Sequence, residues 1–388
     1  MGTQSSLGQF FSRKLAAISA RRSLAPAAAL ALLLVGGGLL LIFFERLPIQ
    51  GTSLAIDWKG LWLGLRANPP VFGNATGLRI APWDVLLVKP LGWLPFEASW
   101  GLLTLLTLAV LVISVPRTYG RKRLWLGCLL LITSFPAVRH FADGNFEGLI
   151  IAGLLLVVYG YRTENNWVLA AGLLLATAKV QEAWVLTLVL GAYLLRTWPP
   201  RRLFGLIGGL GTVLILSLAW QGNEWVLGVG SILRQNSIVN SSLWATLLRL
   251  GWPIWAAATT WLVVAGLVVL FAWRSGPTFS RQKAAAVVAA AMLLSPYWAA
   301  NSYLTVLAVG ILPLVIAGNA WAVILLIVVD LSYLASHKLA YDWSASYWTA
   351  ILLITFCLLA VQTWRAEKQL SAPAAIGPAV SQAGQTVT

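Results

Sequence analysis

The sequence predicts an all-α, polytopic helical membrane protein of about twelve transmembrane helices, within a range of ten to thirteen. Three observations lead there. Hydrophobic residues make up 59% of the 388 positions and charged residues only 10%, with a mean hydropathy of +0.81, whereas a soluble domain carries about 25% charged residues. Several apolar runs, among them Ala27–Phe44, Trp100–Val115, Leu203–Trp220, Ile254–Trp273 and Trp321–Ala335, are long enough for a hydrocarbon core of roughly 30 Å. The basic residues sit in short connections between such runs. A β-barrel would alternate polar and apolar residues instead, and this chain does not.

Taken in order, the expected spans are 27–44, 98–115, 124–137, 147–161, 167–180, 182–196, 203–220, 252–273, 284–298, 302–317, 319–335 and 346–364. The first run follows Arg13, Lys14, Arg21 and Arg22 but exceeds the 7–15 residues of a signal core and lacks a small-residue cleavage site, so it reads as a retained helix. Cys128 and Cys357 both fall within apolar runs and read as small core residues. With only His140 and His337, and no H-x-x-H, C-x-x-C or D-x-D spacing, a protein-bound metal site has little support.

The connections give the sidedness. Residues 116–123, 196–202 and 274–283, together with Arg162, Arg365, Lys368 and the basic residues of 1–26, form a positive set, which the positive-inside rule places in the cytoplasm with both termini. This pattern accounts for the net charge of +15 without nucleic acid. Most acidic residues fall on the opposite, outer side, in 45–97, 138–147, 221–251 and 336–345, which makes that face the candidate working face. Residues 27–364 are then one transmembrane domain, 1–26 a basic cytoplasmic N-terminus and 365–388 a polar, disordered tail. Segment 45–97 is too long for a connector. It reads as interfacial helices anchored by Trp58, Trp62, Trp83 and Trp93.

The outer segments hold the residues that can carry chemistry. Asp57, in GTSLAIDWKGLWLGLRANPP, is a carboxylate at the membrane–water boundary, suited to take a proton from an incoming hydroxyl. It would serve equally as a helix N-cap. Lys59 and Arg66 follow it and can neutralise phosphate oxygens. VRHFADGNFEG at 138–148 gathers Arg139, His140, Asp143, Asn145 and Glu147, polar groups that fit a sugar or diphosphate as well as an ordinary loop. In ATAKVQEAW at 176–184, Lys179 and Glu182 interrupt apolar sequence. Ionisable groups at membrane depth cost roughly 2.5–3.5 kcal/mol and mark functional candidates, although these two are spaced to satisfy each other. SPYWAANSY at 295–303 sets Tyr297, Trp298, Asn301 and Tyr303 around a proline break, as a sugar site or an interface anchor would. Asp330, within a span, suits a structural partner.

The order of these pieces resembles the polyprenyl-phosphate-sugar-dependent membrane glycosyltransferases of the type C fold, most closely glycosyltransferase family 87. The resemblance runs over roughly residues 27–320 and rests on AIDWKGLWLGLRAN, LRIAPWDVLLVKPLGWLP, DGNFEGLIIAGLLLVVYGYRTENNWVLAAGLLLATAKVQ, NSIVNSSLWATLLRL and LLSPYWAANSYLTVLAVGILPLV. Asn145 stands where the family has Gln, Val180 where it has Pro, and Ala299–Ala300–Asn301 where histidine often follows the Trp. The resemblance implies transfer of a hexose, by default mannose, from a polyprenyl-phosphate donor to a lipid or glycan acceptor. It further implies an inner (plasma) membrane enzyme acting with inversion on the extracytoplasmic face, without a nucleotide or other cofactor. It places the catalytic base at Asp57. Lys179, Arg139, Lys59 and Arg66 become candidate donor-phosphate contacts, and Asn145, His140, Glu147, Trp298 and Asn301 candidate sugar or acceptor contacts. Two other classes remain open: a lipid or solute transporter, for which Lys179 and Asp330 within spans speak, and an inactive membrane scaffold of the same fold.

Overall fold

The computed structural model describes residues 54–73, 77–235, 241–276, 278–298, 300–338 and 341–371. The expected span 27–44, the basic N-terminus and the chain beyond Ser371 lie outside them. The described residues are helical, with one isolated bridge between Phe72 and Leu78 and no strand. In chain order the helices are α1 Ile56–Arg66, α2 Pro82–Val88, α3 Phe96–Ser114, α4 Arg121–Thr133, α5 Phe135–Asp143, α6 Glu147–Arg162, α7 Asn166–Ala176 and α8 Val180–Thr197. There follow α9 Pro200–Gln235, α10 Leu243–Arg249, α11 Ile254–Arg274, α12 Arg281–Leu294, α13 Ala300–Ile316, α14 Ala320–Lys338 and α15 Tyr341–Ser371.

Among the described residues four helices, fewer than the twelve spans expected, are long and apolar enough to cross a membrane: α3, α11, residues 200–228 of α9 and residues 346–369 of α15. A fifth span results if α4 and α5, bent by 53° at Ser134, are taken together. The bend falls where Pro136 opens α5 without an N–H of its own. Asp330 in α14 accepts from the Phe135 amide at 2.9 Å, so the acid within a span is a cap for a broken helix.

The centre of the molecule is α12. Every residue from Lys283 to Leu294 is buried, and its alanines let α8, α13 and α15 pack close around it. Beside it α6 and α7 touch backbone to backbone. A Cβ on Gly153 would lie 2.3 Å from the Ala176 nitrogen, and one on Gly172 would lie 2.6 Å from that of Val157. The outward faces of α9 and α11 stay apolar, with Phe204, Ile215, Trp255, Leu262, Val269 and Trp273 exposed, as lipid contact requires.

The helix ends sort the polar groups. At one end the basic connections meet. Arg202 pairs with Glu164 at 2.6 Å, Lys283 with Glu367 at 2.6 Å, Arg123 donates to the Ile316 carbonyl at 3.3 Å, and Arg281 donates to that of Ser114. Because Glu367 is so engaged and α15 runs to Ser371, residues 365–371 are helix, a correction to the expected tail boundary. The start of α6, about 24 Å away for its sixteen residues, lies at the opposite end.

That opposite end is covered by residues 54–73 and 77–95. They do hold two short helices, but these pack into the protein. Trp58, placed above as an interfacial anchor, is 0% exposed and meets Phe146 edge to face at 5.5 Å. Trp93 remains 75% exposed, as an anchor would be. Asp84 in α2 is buried, with Oδ2 lacking any partner among the described residues. Burial raises its carboxyl from the ordinary 3.8 to about 8. The folded protein then binds a proton at Asp84 that the unfolded chain releases between these values, so stability falls as pH rises from about 4 to 8, by up to about 6 kcal/mol. Melting in detergent is expected to show this loss in the wild type and a flatter profile in Asp84→Asn. A variant that melts with an unchanged pH dependence would contradict the assignment.

Candidate functional site

A polar cluster lies in the protein interior at the covered end. Glu147, in the first turn of α6, is 0% exposed. Its Oε2 lies 3.1 Å from His140 Nδ1 of α5, and its Oε1 accepts from Lys179 Nζ and from Ser302 Oγ at 3.2 Å. Lys179 sits in the turn between α7 and α8, 3.5 Å from Glu182 Oε1. Ser302, on the 3₁₀ turn that opens α13, also bonds Glu182. The Lys179–Glu182 spacing of three residues thus forms the internal pair it suggested, with Glu147 as a stronger partner. Breaking a buried pair of this kind costs about 3–5 kcal/mol, because one charge is left uncompensated.

Asp57 lies toward the surface, its side chain 27% exposed. Its Oδ2 accepts from Asn145 Nδ2 at 3.4 Å, and its Oδ1 is 3.9 Å from Arg79 Nη1. The backbone fixes this position. The Ala55 amide bonds to the Ala142 carbonyl at 2.6 Å, and Ala55 itself adopts φ +55, a left-handed conformation that costs a non-glycine residue about 1–2 kcal/mol. Beside it Trp58 fills the space over Gly144, whose φ is +72 and whose added Cβ would lie 2.6 Å from Trp58 Cβ. The Ala81 amide, bonded to the Ala178 carbonyl at 2.8 Å, ties the same segment to the turn that carries Lys179.

The sequence-derived candidates separate accordingly. Asp57 and Asn145 touch. Arg139 is at the rim, 57% exposed, with its Nε 2.5 Å from Asp143 Oδ2. Lys179, Glu147 and His140 are close by but buried and engaged with one another, which makes them a support for the site rather than its lining. Lys59 and Arg66 turn away. At 100° per residue they lie about 180–200° around α1 from Asp57, and Arg66 stacks on Trp62 at 4.7 Å. Trp298 is 1% exposed and its Nε1 donates to the Ser241 carbonyl at 2.6 Å, a lock between elements. Asn301 is half-buried next to Ser302.

Arg79 was not among the sequence-derived candidates, and Tyr297 was named only as part of the proline break at 295–303. Arg79 reaches Asp57 only because the chain after α1 folds straight back, with Val71 N bonded to the Gly64 carbonyl at 3.2 Å and Leu78 N to the Val71 carbonyl at 2.8 Å. Tyr297 alternates with Trp298 and is half-buried, within electrostatic reach of Asp57, Arg79, Lys179 and Glu182. A single arginine between Leu78 and Ile80 carries no periodic signal that would link it to Asp57. The assembled group offers a partly exposed carboxylate, two rim guanidiniums, an amide and a phenol. This set can deprotonate a hydroxyl and receive an anion.

The family model of glycosyltransferase family 87 matches residues 81–296 of the chain, more than half of its length. The chain belongs to glycosyltransferase family 87. It is therefore a membrane glycosyltransferase, which takes a sugar from a donor and places it on an acceptor. The matched stretch runs from α2 to the end of α12 and contains Arg139, His140, Asn145, Glu147 and Lys179. Asp57, Arg79, Tyr297, Trp298 and Asn301 flank it on either side. No curated protein and no solved structure matches the chain.

The packing at Gly144 yields a prediction for this family member. Gly144→Ala imposes both a strained φ and a clash with Trp58, and is expected to destabilise the protein by about 2 kcal/mol or more. Melting in detergent reads the change. Wild-type melting of the variant would mean that Trp58 and Gly144 are not in the contact described.

Proposed function

We propose that this protein moves a hexose, by default mannose, from a polyprenyl-phosphate donor to a lipid or glycan acceptor with inversion, using Asp57 as general base. The observation that carries the proposal is the placement of Asp57. It is a partly exposed carboxylate directly above the buried cluster, and it is held by one amide and one guanidinium at 3.4 and 3.9 Å. Most of its acceptor capacity therefore remains for an incoming hydroxyl.

In the reaction, Asp57 takes the proton of the acceptor hydroxyl as its oxygen attacks the anomeric carbon. The bond from that carbon to the phosphate oxygen breaks on the opposite face, and the phosphate leaves with the electron pair. Arg79 and Arg139 are the cations that meet the departing charge, in line with the use of guanidinium for phosphate. Lys179, neutralised by Glu147 and Glu182, positions the turn beneath the site and leaves the phosphate charge to the two arginines. Asn145 and Asn301 supply hydrogen bonds to the sugar or acceptor. On this reading the protein is of the type C glycosyltransferase kind, with about twelve spans in the inner membrane, both termini cytoplasmic and Asp57 on the extracytoplasmic face. The concentration of basic residues at the opposite end supports that orientation.

The test is transfer from radiolabelled polyprenyl-phosphate-mannose to membrane lipids by wild type and Asp57→Asn at equal amounts of folded protein. A loss of about 10²–10⁴-fold in the variant is expected for removal of a general base. Equal transfer by both proteins would overturn Asp57 as the base. Wild-type inactivity with this donor, followed by activity with another polyprenyl-phosphate sugar, would replace mannose and leave the base to be judged with that donor. An inactive scaffold would transfer no sugar from any of them.

A further inference from the structure

Between α8 and α11 lies an apolar cleft that the reaction at Asp57 does not use. Both helices pack on α12 and meet each other at one end, where Tyr193 Oη of α8 donates to the Ala272 carbonyl of α11 at 2.7 Å, leaving beyond that contact a space of about 270 Å³ with Leu294 of α12 on its wall. On α8 the cleft follows two adjacent rows, Trp184, Leu188, Ala192 and Arg196 beside Val185, Val189 and Tyr193, each four residues apart. Across from them Ala265 and Ala272 on α11 are too small to close the gap. Leu188, Val269 and Trp273 are strongly exposed on its rim. At membrane depth such a surface is covered by a hydrocarbon chain, since lipid is the solvent there.

The charge is confined to one end. Arg196 lies over the ring of Trp273 at 4.4 Å and so bridges the mouth of the cleft. Arg274 follows at the end of α11. Neither arginine has a carboxylate partner among the described residues. Fourteen residues of α8 separate Arg196 from Glu182, about 21 Å along the axis. The cationic mouth thus belongs to the basic end of the bundle, in the leaflet opposite the one that Asp57 faces.

We propose that this cleft is a binding site for an anionic glycerophospholipid, with one acyl chain lying along α8 and its phosphate at Arg196 and Arg274. The position of the cations selects this occupant. A lipid-linked sugar with its phosphate near Asp57 would bring only the apolar end of its chain to Arg196, where a cation serves no purpose. A zwitterionic lipid would leave the two arginines with their charge unbalanced.

Native mass spectrometry of the delipidated full chain in detergent tests the site, with phosphatidylglycerol and phosphatidylcholine of identical acyl chains as probes. Wild type and Arg196→Lys are expected to retain one phosphatidylglycerol in preference to phosphatidylcholine. Arg196→Ala is expected to bind it about fivefold more weakly, as removal of one cation near a lipid head group implies. Ala192→Trp, which fills the cleft and keeps the charge, is expected to lose it, with melting curves confirming that each variant is folded. Equal retention by wild type, Arg196→Ala and Ala192→Trp would overturn the site. Equal binding of phosphatidylcholine would overturn the role of charge, and displacement by an equimolar polyprenyl phosphate would assign the cleft to the substrate instead.

Discussion

The buried contact between Lys179 and Glu147 is the interaction on which the working end depends. Two charges taken out of water carry a desolvation cost of several kcal/mol each, which their attraction offsets only when the remaining hydrogen-bonding positions are filled. Around this pair most are filled, from four directions, and Glu182 Oε2 is the buried oxygen of the cluster that has no partner among the described residues. His140 comes from α5, Glu147 from α6, Lys179 and Glu182 from the turn into α8, and Ser302 from the start of α13. Elements far apart in the chain are joined at one point, and none can shift without stranding a charge.

The surface layer is fastened to that point by backbone bonds. Ala81 is bonded to Ala178, one residue before Lys179, and Ala55 to Ala142, at the end of the helix that carries His140. Asp57 and Arg79 ride on these attachments. The reacting groups therefore remain partly exposed while the geometry beneath them is set in the interior, a division that suits a group required both to meet substrate and to stay in place. The glycines act in the same sense. Gly144 admits Trp58, and Gly153 with Gly172 lets α6 and α7 touch, which brings Glu147 and Lys179 within reach of each other.

Much of this was legible in the chain. Apolar runs gave most of the helices between α3 and α15 nearly in place, but α5 falls on residues read as an outer loop, and four or five of the described helices, not twelve, are long and apolar enough to cross a membrane. The cost of ions at membrane depth singled out Lys179 and Glu182, and Asp330 proved to be the structural partner its setting implied. What could not be read depends on contacts between distant segments. Arg79 is drawn to Asp57 by a tight return of the chain. Trp58 and Trp298 look like interface tryptophans in sequence and are packing and locking residues in the fold. Proximity to Asp57 in sequence suggested Lys59 and Arg66, yet the helical period turns them to the opposite side.

The central claim is that the Lys179–Glu147 pair organises the site end, and a double-mutant cycle tests it most directly. Glu147→Gln, Lys179→Met and the double variant would be compared with wild type by reversible unfolding in detergent. The account predicts a coupling of about 2–3 kcal/mol, with the double variant more stable than the sum of the single losses allows. Strict additivity of the two losses would contradict it.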